Sequence, residues 1–176
     1  LIEREGGFEN CVTPYTPAND VVGPYQGTGN DNEWGERFAD IITRIMNADF
    51  TVIPETYDRA ANLEYAGGIS TLSHDGADRF WMGLRAAFPN AEFKIHHQIG
   101  RNDPDMPPRA ALRWTLHGKH EGWGSFGTPT GAEVFILGAS HAEFGAVIGG
   151  QPKLRREWTL FDETAVWKQI TLKTGG

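Results

Sequence analysis

The chain has 176 residues and a formal charge of −7, from 16 Lys and Arg against 23 Asp and Glu. That balance excludes the basic face a nucleic-acid binder needs for phosphate contacts, and no apolar run approaches the ~20 residues of a membrane span. The single cysteine, Cys11, excludes both an intrachain disulfide and a cysteine metal cluster.

Residues 1–30 carry Pro14, Pro17, Pro24 and several glycines with little periodicity, and they read as an irregular N-terminal arm. Residues 31–176 read as one domain. No secretory leader pattern is visible, and a cytoplasmic location is expected. The first helix is marked by Trp34, Phe38, Ile41, Ile42, Ile45 and Met46, which recur on one helical face, with Asp31 or Asn32 as its cap. Phe50 to Tyr57 reads as a short connection broken by Pro54, and Ala60 to Ala66 as a brief strand before Gly67-Gly68. A second helix is expected from about Asp75 to Phe88, stopped by Pro89. Four strands follow, Ala91 to Arg101, Arg109 to Gly118, Glu133 to Phe144 and Leu154 to Phe161, and a last helix begins at Asp162. Helices first and consecutive strands afterwards imply an α+β fold with a mainly antiparallel sheet.

Alternation divides the strand side chains into two sets. Leu112, Trp114 and Leu116 oppose Arg113, Thr115 and His117. Leu154, Arg156, Trp158 and Leu160 oppose Arg155, Glu157, Thr159 and Phe161. Phe93, Ile95, His97 and Ile99 oppose Lys94, His96 and Gln98. The stretch from Glu133 is apolar on both faces and is expected to be central and covered twice. The polar set has two readings: a solvated outer face, or the lining of a cavity on which Arg113, His117 and Glu157 converge.

The most specific stretch is RWTLHGKHEGWGSFGTPTG, from Arg113 to Gly131. It lacks the Gly-Lys-Ser/Thr of a phosphate loop and joins two strands. With Gly118, His120, Gly122, Gly127 and Pro129, then Glu157-Trp158 and Gln169-Ile170, the pattern resembles the SnoaL-like polyketide cyclases of the NTF2-like superfamily. The resemblance spans residues 34–171. It implies an NTF2-like cone: helices packed on a curved, mainly antiparallel sheet that encloses a pocket. The implied reaction is an intramolecular aldol ring closure that uses no cofactor. In that family a carboxylate on the last strand removes a proton α to a carbonyl. Its position falls on Glu157, where the family has Asp. An assisting histidine lies on the preceding strand. Counting without gaps from Thr130 places it at Ser140, with His141 one residue on, and a one-residue slip in a strand reverses the face.

Glu157 is therefore the expected base, provided burial raises its pKa. The alternative is a surface glutamate paired with Arg155 or Arg113. His141 or His117 is its expected partner and Arg113 an electrostatic aid. Trp34, Phe38, Trp81 and Phe88 on the helices, with Trp114 and Trp158 on the sheet, would wall a ligand pocket, though each also suits plain core packing. Asp162 suits a helix N-cap. With Arg113 and Glu157 it could also mimic the carboxylate–arginine–carboxylate set of the superfamily's epoxide hydrolases. None of the six histidines has metal-ligand spacing. The expected partner is a small, apolar, carbonyl-containing molecule, with a homodimer as the expected assembly. A non-catalytic ligand-binding or dimerisation module is the alternative.

Overall fold

In the computed structural model, which describes residues 27–145 and 150–175, helix α1 (Glu33–Met46) starts where Asn32 Oδ1 accepts from Trp34 N at 3.0 Å. Its apolar stripe, from Trp34 through Phe38, Ile41, Ile42 and Ile45 to Met46, is buried as the periodicity predicts. The connection around Pro54 contains a short helix, α2 (Val52–Thr56). Pro54 is tolerated there because first-turn amides have no intrahelical acceptor to lose. Strand β1 (Tyr57–Tyr65) begins at once and turns at Gly67-Gly68 into β2 (Ile69–Leu72), a strand the sequence reading does not contain. Both turn glycines have positive φ, which glycine adopts without strain. Helix α3 (Ser73–Ala87), β3 (Glu92–Arg101), β4 (Arg109–Lys119), β5 (Glu133–Phe144), β6 (Leu154–Phe161) and α4 (Glu163–Thr174) follow the expected order. Asp162 caps α4, accepting from Ala165 N at 3.0 Å.

The six strands make one curved sheet in the order β2-β1-β6-β5-β4-β3, not closed into a barrel. Every pair is antiparallel except β1 with β6, which run parallel. Helix α1 crosses β3 and β4, and α3 crosses β1, so the core fills the concave side. The expected arm falls largely on residues 1–26, outside the described residues. The remainder, Gly27–Asn30, is tied to β3: Gln98 N donates to Thr28 O, Asn30 N donates to Gln98 O, and Gly100 N donates to Asn30 Oδ1.

Three register details revise the sequence reading. A shift between Ile95 and His97 sends Phe93 and Ile95 inward but puts His97 and Ile99 opposite Arg113 and Ala111 on the outer face. A second shift, where Phe144 pairs with Leu154 and Glu143 with Arg156, buries Leu154 although Arg156, Trp158 and Leu160 face outward. Strand β5 is interior in the order but is not covered twice. Helix α4 reaches only its start, where Gln169 bonds both backbone groups of Phe135, and Leu137 stays exposed beyond it.

The glycine-rich loop after β4 lies against α3. A Cβ at Gly122 would stand 1.9 Å from Ala86 O, and one at Gly124 would stand 2.3 Å from Gly83 O and 2.5 Å from Ala87 N. These neighbours are helix backbone and cannot step aside, so the two glycines serve close approach. Gly124→Ala is expected to lower stability by about 1–3 kcal/mol, read as a reduced thermal midpoint. An unchanged midpoint would show that the loop is not held by this contact.

Candidate functional site

On β6 the side chain of Glu157 points into the concave core and is 0% exposed. Its position follows from alternation: Glu157 and Thr159 face inward while Trp158 and Leu160 face out. Parallel pairing places Leu63 of β1 beside Glu157 and Tyr65 beside Thr159. Tyr57 and Tyr65, at the two ends of β1, are both buried and both donate to Glu157 Oε2, at 2.6 and 2.9 Å. Thr159 Oγ1 donates to Oε1 at 2.8 Å and also meets Ser140 Oγ at 2.8 Å, and Trp114 Nε1 donates to that serine at 3.0 Å. A continuous chain thus runs from Trp114 through Ser140 and Thr159 to the carboxylate.

Burial pushes the Glu157 carboxyl above its ordinary value, and the surrounding donors pull back by favouring the charged form. Tyr57, Thr159 and Tyr65 do so through these hydrogen bonds and Trp81 through its nearby N–H, and all four groups are uncharged. Burial also raises both phenols well above their usual value, reinforced by the neighbouring carboxylate. Both therefore stay protonated as donors. Trp81 of α3 is fully buried over this cluster, and its Nε1 lies near enough to favour the ionised forms of Glu157, Tyr57 and Tyr65. It nevertheless makes no hydrogen bond. Phe80 stacks on Tyr65 at 3.9 Å between ring centroids and packs against half-buried Phe161. The result is a carboxylate in an aromatic cage.

The structure brings together Glu157, Trp81 and, through the hydroxyl chain, Trp114. Phe38 and Phe88 are buried elsewhere in the same core, and Trp34 packs on Phe144. The expected convergence of Arg113, His117 and His141 with Glu157 does not occur, because all three lie on the outer face. His117 stacks on Phe135 and meets Glu133 Oε1 at 2.6 Å, and Arg113 is exposed opposite His97. His141 stacks on Trp158, which places that tryptophan outside as well. The pairing of β4 with β5 runs unshifted from Lys119–Glu133 to Arg109–Glu143, so no bulge turns His141 inward. Ser140 takes the inward position instead. Arg113 and the capping Asp162 likewise do not join Glu157, so the epoxide-hydrolase arrangement is not formed.

Tyr57, Tyr65 and Thr159 are not among the sequence candidates, and Ser140 enters the sequence reading only as the residue that the gapless count puts at the family histidine's position. Alternation of Ala61, Leu63 and Tyr65 in β1 carried a signal for one of them, but the parallel pairing that brings both tyrosines to β6 carried none. His120 of the loop is buried, with Nδ1 at 3.1 Å from Thr130 Oγ1, and its backbone carbonyl accepts from Thr130 and Gly131. Burial lowers its pKa, and it anchors the loop outside the cage. Cavities of about 510 and 270 Å³ open beside Arg156 on the outer side of β1 and β6, and Glu157 lines neither.

No family model matches the chain, and no curated protein matches it. Solved structures do. One, a protein from Acidithiobacillus ferrooxidans provisionally named a polyketide cyclase, superposes with a TM-score of 0.61 at 19% identity, over 82% of this chain and 99% of that one. A provisionally named SnoaL-like polyketide cyclase from Jannaschia sp. CCS1 gives a TM-score of 0.59 at 15% identity, over 81% and 96%. The fold is the SnoaL-like, NTF2-type fold. AclR from Streptomyces galilaeus, provisionally named a hydroxylase, shares this SnoaL-like fold with a TM-score of 0.55 at 19% identity, over 81% and 83%. One SnoaL-like scaffold thus carries names from different reaction classes, and the reaction has to be argued from the site. Among the described residues, no helix is long and apolar enough to cross a membrane.

Proposed function

We propose that the chain performs cofactor-free acid–base chemistry, an aldol-type cyclisation or related proton transfer, on a small apolar carbonyl compound, with Glu157 as the base. The observation that carries this reading is a buried carboxylate with a raised pKa, ringed by neutral donors and aromatic walls. A base whose pKa approaches the working pH accepts a proton from carbon most effectively. Tyr57, Tyr65 and Thr159 hold it in place. The names of the matching structures support a carbonyl substrate. The test is loss of α-protons from β-tetralone in D₂O, followed by proton NMR. The protein should accelerate exchange, and Glu157→Gln should cut that acceleration by about 10²–10⁴-fold. Equal rates for the two proteins would refute Glu157 as the base.

The outer sheet face favours a second reading, in which two copies pair through their sheets. Leu160 is 55% exposed and Leu137 38%, beside the Trp158–His141 stack, an apolar surface of a kind that marks interfaces. Sedimentation equilibrium should show a dimer, converted to monomer by the double variant Leu137→Glu, Leu160→Glu. A monomeric parent would dismiss the pairing.

A further inference from the structure

Three buried side-chain nitrogens among the described residues make no hydrogen bond: Trp34 Nε1, Trp81 Nε1 and His120 Nε2. Of these only Trp81 faces a titrating cluster, and its position is unusual. It is fully buried against Tyr65, with ring centroids 6.1 Å apart, and near enough to Glu157 to favour the ionised carboxylate, yet the Glu157 oxygens take their well-formed hydrogen bonds from Tyr57, Tyr65 and Thr159. A buried N–H left unpaired costs about 1–3 kcal/mol, and native structures hold few of them. An unpaired donor beside the place where chemistry would occur can meet a developing negative charge.

We propose that Trp81 Nε1–H is the donor for the substrate's carbonyl oxygen, so that the ligand class is an enolisable ketone held with its oxygen on the indole and its α-carbon on Glu157. This rests on the reading of Glu157 as a base. In the step, the α-C–H bond breaks and its proton passes to a Glu157 oxygen. The electron pair moves into the new C=C bond, and the carbonyl π pair moves onto oxygen as an enolate, which Trp81 Nε1–H then holds. Return of a proton, or of a deuteron from D₂O, from the carboxyl to carbon reverses the step, and attack of the enolate carbon on a second carbonyl closes a ring. Trp81 Nε1 makes no well-formed hydrogen bond in the free protein, so only its weaker attraction to Glu157 and the two tyrosines is given up when it donates. The tyrosines, by contrast, would have to leave the carboxylate.

The probe is β-naphthol, a flat apolar enol, with naphthalene as the control that lacks the oxygen. In the nitrogen–proton spectrum of the whole chain, the Trp81 indole resonance, assigned with Trp81→Phe, should move downfield as β-naphthol binds and stay in place with naphthalene. Trp81 replaced by benzothienylalanine, which keeps the ring shape and lacks the N–H, should bind β-naphthol about 10- to 100-fold more weakly and naphthalene equally well. It should also slow β-tetralone exchange by about 10²-fold. Binding of β-naphthol with an unmoved Trp81 resonance overturns the proposal, as does no binding at millimolar concentration. The two ideas fail separately. Glu157-dependent exchange with a silent Trp81 removes only the indole's role, whereas a responsive Trp81 without exchange leaves the oxygen site standing and removes the base.

Discussion

Glu157→Gln is expected to raise the thermal midpoint of the chain at mildly alkaline pH, by roughly 1–3 kcal/mol of stability, and to change it little at strongly acidic pH. The buried carboxyl has a folded-state pKa above its ordinary value of 4.5. Between those two values the folded state binds more protons than the unfolded one, so stability falls as pH rises through that window and stays reduced above it. Below the ordinary value both states are protonated and the difference vanishes. Glutamine is neutral throughout. Its carbonyl oxygen can accept from both tyrosines, and its amide can donate to Thr159. The same variant should therefore lose proton exchange and gain stability, a combination expected where a site keeps a costly group for its chemistry. Parallel melting curves across pH check this. Two curves offset by a constant amount would show that folding does not shift the Glu157 pKa.

Tyr57→Phe and Tyr65→Phe should each move the acidic limb of the β-tetralone exchange profile to higher pH. Each phenol donates to Oε2 and favours the ionised carboxylate, so its loss leaves burial less opposed and the pKa rises further. Each is expected to cost about 1–3 kcal/mol at alkaline pH. The cost should shrink as Glu157 protonates, because the hydrogen bond lost is one to a charge. The double variant should cost more than the sum of the two, since the first loss leaves one donor still on the shared oxygen and the second leaves none. A profile that does not move in any of the three would separate the tyrosines from the titration.

The elements were largely legible in the sequence because each had a local cause. Asn32 and Asp162 cap helices, Pro89 stops one, and the apolar stripe of α1 has helical spacing. The site was legible at Glu157, Trp81 and Trp114 alone. Alternation separates Glu157 from Trp158, but it does not say which set faces the core, and grouping Arg113 and His117 with Glu157 assumed that the faces of β4 and β6 could be matched at a distance. The matching depends on β5 between them, whose unbroken register sends Ser140 in and His141 out. Two strand irregularities, at Ile95/His97 and next to Leu154, then reversed parts of β3 and β6 against strict alternation. The aromatic excess was visible in composition. That Trp81 supplies a lone N–H as well as an apolar wall needs coordinates.

Parallel pairing of β1 with β6 joins segments about a hundred residues apart, and Tyr57 meets Glu157 across a separation of 100 positions. Contacts of that separation form late, because loop-closure entropy is spent before they repay it. Until β1 docks, Glu157 is an ordinary hydrated carboxylate. Once it docks, the group is dry and its proton affinity rises. Proton uptake during refolding, followed with a pH indicator, should therefore coincide with closure of the β1–β6 seam and lag formation of the β3–β4–β5 meander. The carboxylate becomes its own clock for completion of the sheet.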